Sequence, residues 1–393
     1  GMSALGELVL VLAGLHAALG LHWFPRSAYV FRAFVGRRAR VTAASSAWGS
    51  DRMALLFGPP LPGTGRFHLV ELFPLALSRD AIVASPAFDP NPGGRTPRTN
   101  RVATWDEAGR ARAEGRAVFL GKTRIVTTGS DALARHAART LARLAALAPA
   151  ERERAIGQFA REALDADAAR VRAQAWEREA RTLRFPASLM FLLLFIALPV
   201  AGVTVGLSLA WPWLLLALVL LQVWSGVAFF RAHRRLDPNE RGERALRTLT
   251  VSLSPVEALR SGEVLGRDVL ARFHPFAVGA VLLARHEFVL FAERVLRDAL
   301  HPTPPPAPYV DARVQDVEFA WRAKLAHEIL DAAQRAGLER NLATIAPSGD
   351  PDERSYCPRC RQTFVLDSGT CADCFGLALA PLPSRAVGDG SPG

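Results

Sequence analysis

The fold is decided by residues 186–230, which read PASLMFLLLFIALPVAGVTVGLSLAWPWLLLALVLLQVWSGVAFF and carry no charge. A bilayer core about 30 Å thick requires about 20 consecutive apolar residues in a helix. The stretch is long enough for two such helices, which we place at residues 187–207 and 211–230, with a turn near residues 209–212. We therefore predict a transmembrane helical hairpin in the middle of the chain.

Two features inside the hairpin carry structural predictions of their own. Pro199 removes one helical hydrogen bond and should kink the first helix. Gly202 and Gly206 form a GxxxG spacing, which lets two helix backbones approach closely. Because this spacing is common by chance, we expect it to serve packing within the chain rather than a dedicated dimer interface.

A further apolar segment at residues 5–24 predicts an N-terminal transmembrane helix within residues 1–24, although it contains Glu7 and two histidines. A cleaved signal peptide with a cleavage site at residues 18–20 is the alternative, but no basic residue precedes the segment. An ionisable residue inside a membrane is a candidate functional group. For His16 we favour the structural alternative, a neutral imidazole hydrogen-bonded inside the packing of three helices.

Basic residues flank the three apolar segments on one side only. They follow the first segment, precede the hairpin and follow the hairpin: Arg26, Arg32, Arg37, Arg38, Arg40, Arg178, Arg181, Arg184, Arg231, Arg234 and Arg235. The short N-terminus and the hairpin turn contain neither lysine nor arginine. Since positive flanks remain in the cytoplasm, we predict an external N-terminus, with both large segments and the C-terminus in the cytoplasm.

The composition limits the class of protein further. Half of the 393 residues are hydrophobic, and the formal net charge is +11. All but two of the 48 basic residues are arginine, a bias typical of a GC-rich genome, so the charge alone is weak evidence for nucleic-acid binding. All four cysteines lie between Cys357 and Cys374. None remains to cross-link an extracellular domain, which favours a reducing compartment for the soluble parts.

Residues 25–185 predict a small α+β cytoplasmic domain. Short apolar runs between glycines and prolines are typical of strands; they lie at residues 54–57, 67–73, 81–84, 117–120 and 123–128. Gly121 and Lys122 predict a hairpin turn between the last two runs. Two helices follow as an expected antiparallel pair, one over residues 131–147 with Ser130 as its cap and one from about residue 150 to the membrane at Pro186.

The second soluble segment, residues 231–301, is predicted to be helical. Ser254-Pro-Val-Glu257 has the form of a capping box and starts the first of several short helices. Residues 276–300 are strongly apolar but are interrupted by charge, so they form either a buried helix or one lying in the membrane interface; we favour the buried helix. A proline-rich linker at residues 302–310 precedes an amphipathic helix capped by Asp311 and stopped by Gly337.

The clearest chemical motif lies at residues 356–379, which read YCPRCRQTFVLDSGTCADCFGLAL. Cys357 and Cys360 form one CxxC turn, and Cys371 and Cys374 form another. Two such turns brought together offer four thiolates in a tetrahedral arrangement suited to zinc. Disulfides or a redox couple are the alternative, which fits poorly with two close pairs in a cytosolic segment. We therefore predict structural Zn²⁺ with these four cysteines as ligands, because so small a module requires a metal or cross-links to fold.

The same segment resembles the small zinc-ribbon modules of many bacterial proteins. Those modules combine a CPxC turn, an aromatic residue, a glycine, a CxDC turn and a trailing apolar residue, which here are Cys357, Pro358, Cys360, Phe364, Gly369, Cys371, Asp373, Cys374 and Leu377. The glycine that usually follows a knuckle directly is displaced to Gly376. The resemblance covers only this segment, and it implies a structural metal rather than an activity.

The surroundings of the motif favour a protein partner. Zinc ribbons often bind nucleic acid, but residues 352–393 contain four arginines against five acidic residues, whereas a nucleic-acid surface is expected to be basic. Four thiolates also complete the coordination shell and leave no position for a catalytic water. We expect the ribbon either to contact another protein or to stabilise the fold of its own domain.

Together these features predict an α+β membrane protein with three transmembrane helices in the inner (cytoplasmic) membrane of a bacterium. The predicted segments are an N-terminal transmembrane helix 1–24, an α+β domain with a helical hairpin 25–185, a transmembrane hairpin 186–230, a helical segment 231–301, a linker 302–310, an amphipathic helix and linker 311–350, a zinc ribbon 351–380 and a disordered tail 381–393. The predicted function is that of a non-enzymatic adaptor, which contacts the lipid bilayer and recruits a protein partner.

The alternative function is that of a membrane-bound enzyme or transporter subunit. Its site would gather polar residues that no sequence spacing links to one another, namely His16, His68, Asp80, His274, His286 and Glu287.

Overall fold

A computed structural model of the chain describes residues 2–22, 29–34, 37–43, 64–69, 75–84, 101–128, 131–301, 312–339, 341–374 and 376–383. The helices are α1 Met2–His22, α2 Trp105–Ala108, α3 Asp131–Ala145, α4 Pro149–Ala163, α5 Ala166–Leu192, α6 Leu198–Thr204, α7 Leu207–Leu236, α8 Arg241–Leu253, α9 Pro255–Leu259, α10 Ser261–Leu270, α11 Pro275–Leu282, α12 Arg285–Leu300 and α13 Ala312–Arg335. A π-helical turn at Leu193–Ala197 joins α5 to α6.

The strands belong to small antiparallel sheets with the orders β2-β1-β3, β4-β5-β6, β7-β8-β9, β11-β10-β14 and β12-β13. They are β1 Tyr29–Phe34, β2 Arg37–Ala43, β3 Thr64–Leu69, β4 Leu75–Leu77, β5 Ile82–Ala84, β6 Arg101–Ala103, β7 Ala111–Glu114, β8 Ala117–Leu120, β9 Thr123–Thr127, β10 Ser355–Tyr356, β11 Thr363–Phe364, β12 Thr370–Cys371, β13 Leu377–Ala378 and β14 Ala380–Pro381. The chain is therefore a mixed α and β protein, as its fold class predicted.

Several predicted features lie outside the described residues. They are the strand at residues 54–57, the Ser130 and Asp311 caps, the linker at residues 302–310 and most of the tail after residue 380.

The central hairpin is longer than predicted. Two apolar helices, Ala166–Thr204 and Leu207–Leu236, are long enough to cross a membrane. The chain reverses at Gly206, whose φ of +86° lies in the left-handed region that favours glycine. The prediction of a turn at residues 209–212 was therefore wrong, because the chain changes direction at Gly206 and Pro212 lies inside α7.

Helix α5 differs from its prediction at both ends. The expected single helix from residue 150 is broken at Asp165, whose side chain accepts hydrogen bonds from the amides of Asp167 and Ala168 and caps a new helix. The new helix then continues through Pro186, where the prediction ended it.

At Pro199, where a kink was predicted, the helix contains the π-helical turn. Leu198 donates its amide to the carbonyl of Leu193, five residues back, and Pro199 follows at the start of α6. Because proline cannot donate to the carbonyl four residues back, the wider turn absorbs the missing hydrogen bond.

Helix α1 is a shorter apolar helix that packs along the hairpin. Leu10 and Ala17 are buried in the same apolar cluster as Leu194 and Leu218 of the hairpin. A Cβ atom added at Gly6 would lie 2.2 Å from the Trp211 ring, so the glycine permits the contact between α1 and α7.

The prediction that His16 is enclosed by helices was wrong. His16 is exposed and points away from the buried Ala17 side of α1, because helical periodicity places neighbouring residues on different faces. The expected close contact at Gly202 is also wrong among the described residues, since a Cβ atom there would meet nothing within 4 Å.

The first soluble core combines the β4-β5-β6 and β7-β8-β9 sheets with α2, α3 and α4. The predicted hairpin at Gly121 is confirmed, and β8 pairs with β9 across it. The buried Arg152 satisfies the end of α3: its guanidinium donates to the carbonyls of Leu144 at 3.0 Å and Leu147 at 2.8 Å. The same guanidinium lies 4.7 Å from the Trp105 ring centroid. One cation thus caps a helix and packs the core.

Helices α8 to α11 pack against the hairpin helices α5 and α7, and α12 packs against α11. The Ser254 hydroxyl accepts the amide of Glu257 and starts α9, as predicted. The apolar stretch at residues 276–300 is divided into α11 and α12. Phe276, Phe288 and Phe291 are buried in the main apolar cluster, which favours the buried alternative, although Leu290 is exposed. Helix α13 joins the two cores, with Trp321 in the first and Ile329 in the second.

A buried ionic network connects α3 of the first core to α8 and α10. Arg247 of α8 lies 3.3 Å from Glu243, 3.4 Å from Asp268 of α10 and 3.6 Å from Asp131 of α3. Arg135 of α3 also pairs with Glu243. Because removing one member would leave buried charges uncompensated, the network fixes the mutual position of three helices.

Candidate metal centre

The C-terminal segment is built from two small sheets that carry one cysteine pair each. In the first sheet, β10 pairs with both β11 and β14, and the chain after β10 leads directly to Cys357. In the second sheet, β12 pairs with β13 and contains Cys371 opposite Leu377. Each strand pair therefore presents a CxxC turn at its end.

Both turns are closed by a residue with positive φ. In the first, the amide of Arg361 donates to the carbonyl of Cys357 at 2.8 Å, and Arg361 has a φ of +65°. In the second, the amide of Gly376 donates to the carbonyl of Cys371 at 2.9 Å, and Gly376 has a φ of +83°. Glycine usually occupies such a position, so Arg361 is an exception that needs a separate reason.

The four sulfur atoms converge. They lie within 4.8 Å of one another, and the Sγ atoms of Cys360 and Cys371 are 3.7 Å apart. A tetrahedral metal with bonds of about 2.3 Å to sulfur places its sulfurs about 3.8 Å from one another. Within the described residues, these cysteines are the one group of three or more potential His, Cys, Asp or Glu ligands with ligand atoms this close. The donor set and its spacing fit a tetrahedral metal.

The positions of the four sulfur atoms do not correspond to disulfide bonds, which were the alternative to a metal site. All four cysteines are free thiols, and the 3.7 Å separation of Cys360 and Cys371 is well beyond a sulfur–sulfur bond of about 2.05 Å. Cys357, Cys371 and Cys374 are buried and pack with Phe364, Leu377 and Leu379, whereas Cys360 is exposed.

The thiols have distinct acidities. Partial desolvation of the Cys360 sulfur raises its pKa to about 11 although the residue as a whole is exposed, and burial also raises the pKa of Cys374. Burial acts in the same direction on Cys357, but hydrogen bonds from the backbone amides of Cys360 and Arg359 outweigh it and lower the pKa of that thiol. A metal that binds all four sulfurs as thiolates must displace the thiol protons.

The ribbon is docked on α12 through its first turn. Arg359 lies 3.0 Å from Asp298, and Arg361 pairs with Glu293. Arg297 of the same helix lies 3.7 Å from Glu293, so the docking acids are already positioned by their own helix. This contact gives the reason for an arginine at a glycine position, because glycine could not reach Glu293.

Sequence reasoning missed this docking surface. An arginine directly after a CxxC turn, where glycine is usual, was the one available signal, and its acidic partners lie more than 60 residues away along the chain. Long-range pairs of this kind become visible only in three dimensions.

The residues proposed for an alternative catalytic site are dispersed. His274 is fully buried and caps α11, accepting the amide of Phe276 at Nδ1, and burial lowers its pKa to about 4. Asp80 is exposed and pairs with Arg79, while His286 is exposed at the start of α12. His16 is exposed on α1. Among the described residues, none of these side chains belongs to a close group of three or more potential metal ligands.

Glu287 and His68 are the two remaining candidates for that site. Glu287 follows His286 in the first turn of α12, and the side chain of His68 in β3 lies outside the description.

No protein-family model, curated protein or solved structure that was compared with the chain matches it. The four-cysteine cluster and the apolar hairpin are therefore the features from which its function is inferred.

Proposed function

We propose that the chain is a membrane-anchored adaptor whose zinc ribbon presents a binding surface to a protein partner. The observation that carries this proposal is the position of the ribbon. The ribbon is tied to α12 by Arg359 and Arg361, and it exposes two adjacent apolar side chains, Val365 and Leu366.

The anchoring role is supported by apolar surface on the hairpin that the chain itself leaves uncovered. Val203 is 88 % exposed, and Trp213 is 74 % exposed. Exposed apolar patches of this extent mark membrane or protein contacts. Helix α1 packs beside the hairpin, which supports its assignment as a third membrane helix.

The proposed orientation places the soluble elements in the bacterial cytoplasm. Arg178 and Arg181 of α5 and Arg231, Arg234 and Arg235 of α7 lie at the hairpin end that carries the soluble elements. Positive flanks are retained on the cytoplasmic side. A reducing cytoplasm also maintains free thiols.

Zinc is the proposed metal, and its role is structural. Four thiolates suit zinc, and they fill its tetrahedral shell. No coordination position remains for a substrate or a reactive water, which favours a fold-stabilising role over catalysis.

The partner surface consists of Val365 and Leu366, beside the exposed ion pair of Arg354 and Asp367 at 3.2 Å. An apolar centre with a charged rim is the usual anatomy of a protein interface. Val365 is 64 % exposed and Leu366 is 57 % exposed. Both side chains are free to pack into a groove on another protein.

Affinity purification from detergent-solubilised membranes tests the proposal. The full-length chain is compared with the Val365→Ser/Leu366→Ser variant by quantitative mass spectrometry of the bound proteins. Ile345→Ser is the matched control, because Ile345 is 49 % exposed and precedes the ribbon. We expect specific proteins to be retained by the wild type and the control and to be reduced at least tenfold in the double variant.

Failure to enrich any protein over the double variant would contradict the adaptor role. Metal analysis of the double variant should still give one zinc per chain. That measurement separates loss of the contact surface from loss of the ribbon fold.

A further inference from the structure

Helix α8 presents an unusual pair of faces. Glu243, Arg244 and Arg247 are buried, whereas Leu246, Leu249 and Leu253 are 55 %, 54 % and 70 % exposed. The three leucines fall on one helical face at spacings of three and four residues. A helix that buries its charged side chains against the protein and exposes its leucines is suited to an apolar environment on the exposed face.

The course of α8 brings those leucines back along the hairpin. Four residues connect α7 to α8, and α8 returns along α7 until Gln222 Nε2 donates to the carbonyl of Leu253 at 3.4 Å. Thirteen helical residues cover about 20 Å. The C-terminal half of α8 therefore lies beside the apolar part of α7, at the membrane boundary if the hairpin spans a bilayer.

A groove of about 340 Å³ lies between α7 and α8. Its apolar wall is formed by Val223, Val227 and Phe230 of α7. The opposite wall contributes Thr248 and Ser252 of α8, and Thr248 Oγ1 is a buried atom without a hydrogen-bond partner among the described residues. The volume is at the lower end of the roughly 300–1,000 Å³ typical of ligand sites.

The end of the groove nearest the soluble elements is positively charged. Arg231 and Arg234 line it, one helical turn apart. Both are exposed, and neither makes an ion pair within the described part of the chain. Arg244, by contrast, is held over the Phe230 ring with its guanidinium 5.3 Å from the centroid. The two unpaired cations are therefore available to an anion.

We propose that this groove binds one anionic phospholipid. The phosphate lies against Arg231 and Arg234, a hydroxyl of α8 contacts the headgroup, and the first part of an acyl chain follows Val227 and Val223. The apolar wall matches the acyl chain of such a lipid, and the cationic end matches its phosphate. The inference rests on the proposed membrane anchoring of the hairpin.

The test measures phosphatidylglycerol bound to the full-length protein in detergent, by native mass spectrometry during a titration. Phosphatidylcholine, with no net charge, provides the comparison lipid. Each basic residue near an anionic headgroup contributes enough for a fewfold change in binding, so Arg231→Gln/Arg234→Gln should weaken phosphatidylglycerol binding about 30-fold. Arg231→Lys/Arg234→Lys should retain most of the binding.

Arg178→Gln/Arg181→Gln is the matched control. It removes the same charge from the neighbouring α5 at the same end of the hairpin, outside the groove. We expect its lipid binding to equal that of the wild type. Equal weakening by both double variants would overturn the proposal in favour of diffuse charge attraction.

Two further outcomes separate the possible failures. Displacement of phosphatidylglycerol by millimolar inorganic phosphate would show a site for free phosphate and would overturn the lipid assignment. Membrane integration is checked by carbonate extraction of the same cells. If the chain is extracted, both the anchoring and the lipid site fail, whereas an integrated chain that binds both lipids equally refutes the lipid site alone.

Discussion

The ribbon and the hairpin differ in how much apolar surface they have: the ribbon has little, and the hairpin has more than its neighbours cover. The ribbon has little apolar material, with Phe364, Leu377 and Leu379 as the side chains packed on its buried cysteines. The hairpin has more apolar surface than its neighbours cover, as the exposed Val203 and Trp213 show. In the proposed function, an ion supplies what the ribbon lacks, and a bilayer covers what the hairpin exposes. Under that proposal, each region depends on a different component from outside the chain.

The largest expected effect is the loss of one proposed zinc ligand, which should unfold the ribbon and leave the hairpin unaffected. We expect Cys371→Ser to reduce bound zinc from one ion per chain to less than a tenth of that value. Structural zinc contributes about 10–16 kcal/mol of apparent binding free energy in small modules, so residues 351–382 should lose their protection from hydrogen exchange. Elemental analysis and hydrogen exchange measure the two effects.

The same variant should leave the hairpin intact. Protection of α7 and the membrane-bound fraction are expected to match those of the wild type, because the ribbon contacts the soluble helix α12. Ser368→Ala, an exposed substitution in the turn of the ribbon, is the control and should keep its zinc. Retention of a full zinc ion by Cys371→Ser would rule out the four-thiolate site.

The two regions were predictable from sequence because their signals are local. Two CxxC turns identify the cysteine cluster that contains Cys357 and Cys371 without knowledge of the remaining chain, and a long uncharged run identifies the apolar hairpin. The position of the hairpin turn was mistaken because Pro212 suggested a break, whereas the left-handed conformation at Gly206 decides it. A glycine with positive φ is indistinguishable from other glycines in a single sequence.

A second prediction, with a smaller expected effect, concerns the close contact between α7 and α8. A Cβ atom at Gly226 would lie 1.9 Å from Ser252 Oγ and 3.1 Å from Ser252 Cβ. Gly226→Ala should therefore separate the helices and cost about 1–3 kcal/mol, as overpacking does elsewhere. Thermal unfolding in detergent measures the loss, and the zinc content should not change.

Gly202→Ala is the matched control in the same hairpin. Its Cβ atom meets open space, and alanine favours a helix over glycine by up to about 1 kcal/mol, so stability should be unchanged or slightly increased. The double variant Gly226→Ala/Ser252→Gly should recover most of the loss. Equal unfolding temperatures for the two alanine variants would contradict the close approach of α7 and α8.

Long-range features of the molecule were beyond sequence reasoning. The inward charges of α8 and their partner Asp131 are separated by more than 100 residues, so their pairing has no local signature. The dependence of Arg361 on Glu293 is similar. In both cases a charged residue that appears solvent-exposed in the sequence is placed by an element distant along the chain.

Arg361 gives the smallest and most specific test, because it belongs to both the ribbon and its support. Arg361→Gly relieves a left-handed backbone that costs roughly 1 kcal/mol for a residue with a side chain, but it removes the pair with Glu293. A partly exposed ion pair contributes up to about 1 kcal/mol, so docking on α12 should weaken about threefold to fivefold. Zinc loss to a chelator should be no faster than in the wild type.

Arg359→Ala separates the two effects, since it removes the pair with Asp298 without changing a strained residue. Both variants should raise hydrogen exchange at the α12 contact, and only Arg361→Gly should gain ribbon stability. Glu293→Gln should reproduce the docking loss with unchanged zinc retention. If Arg361→Gly instead released zinc as readily as Cys371→Ser, the arginine would be required by the ribbon fold itself, and docking would not explain its presence at a glycine position.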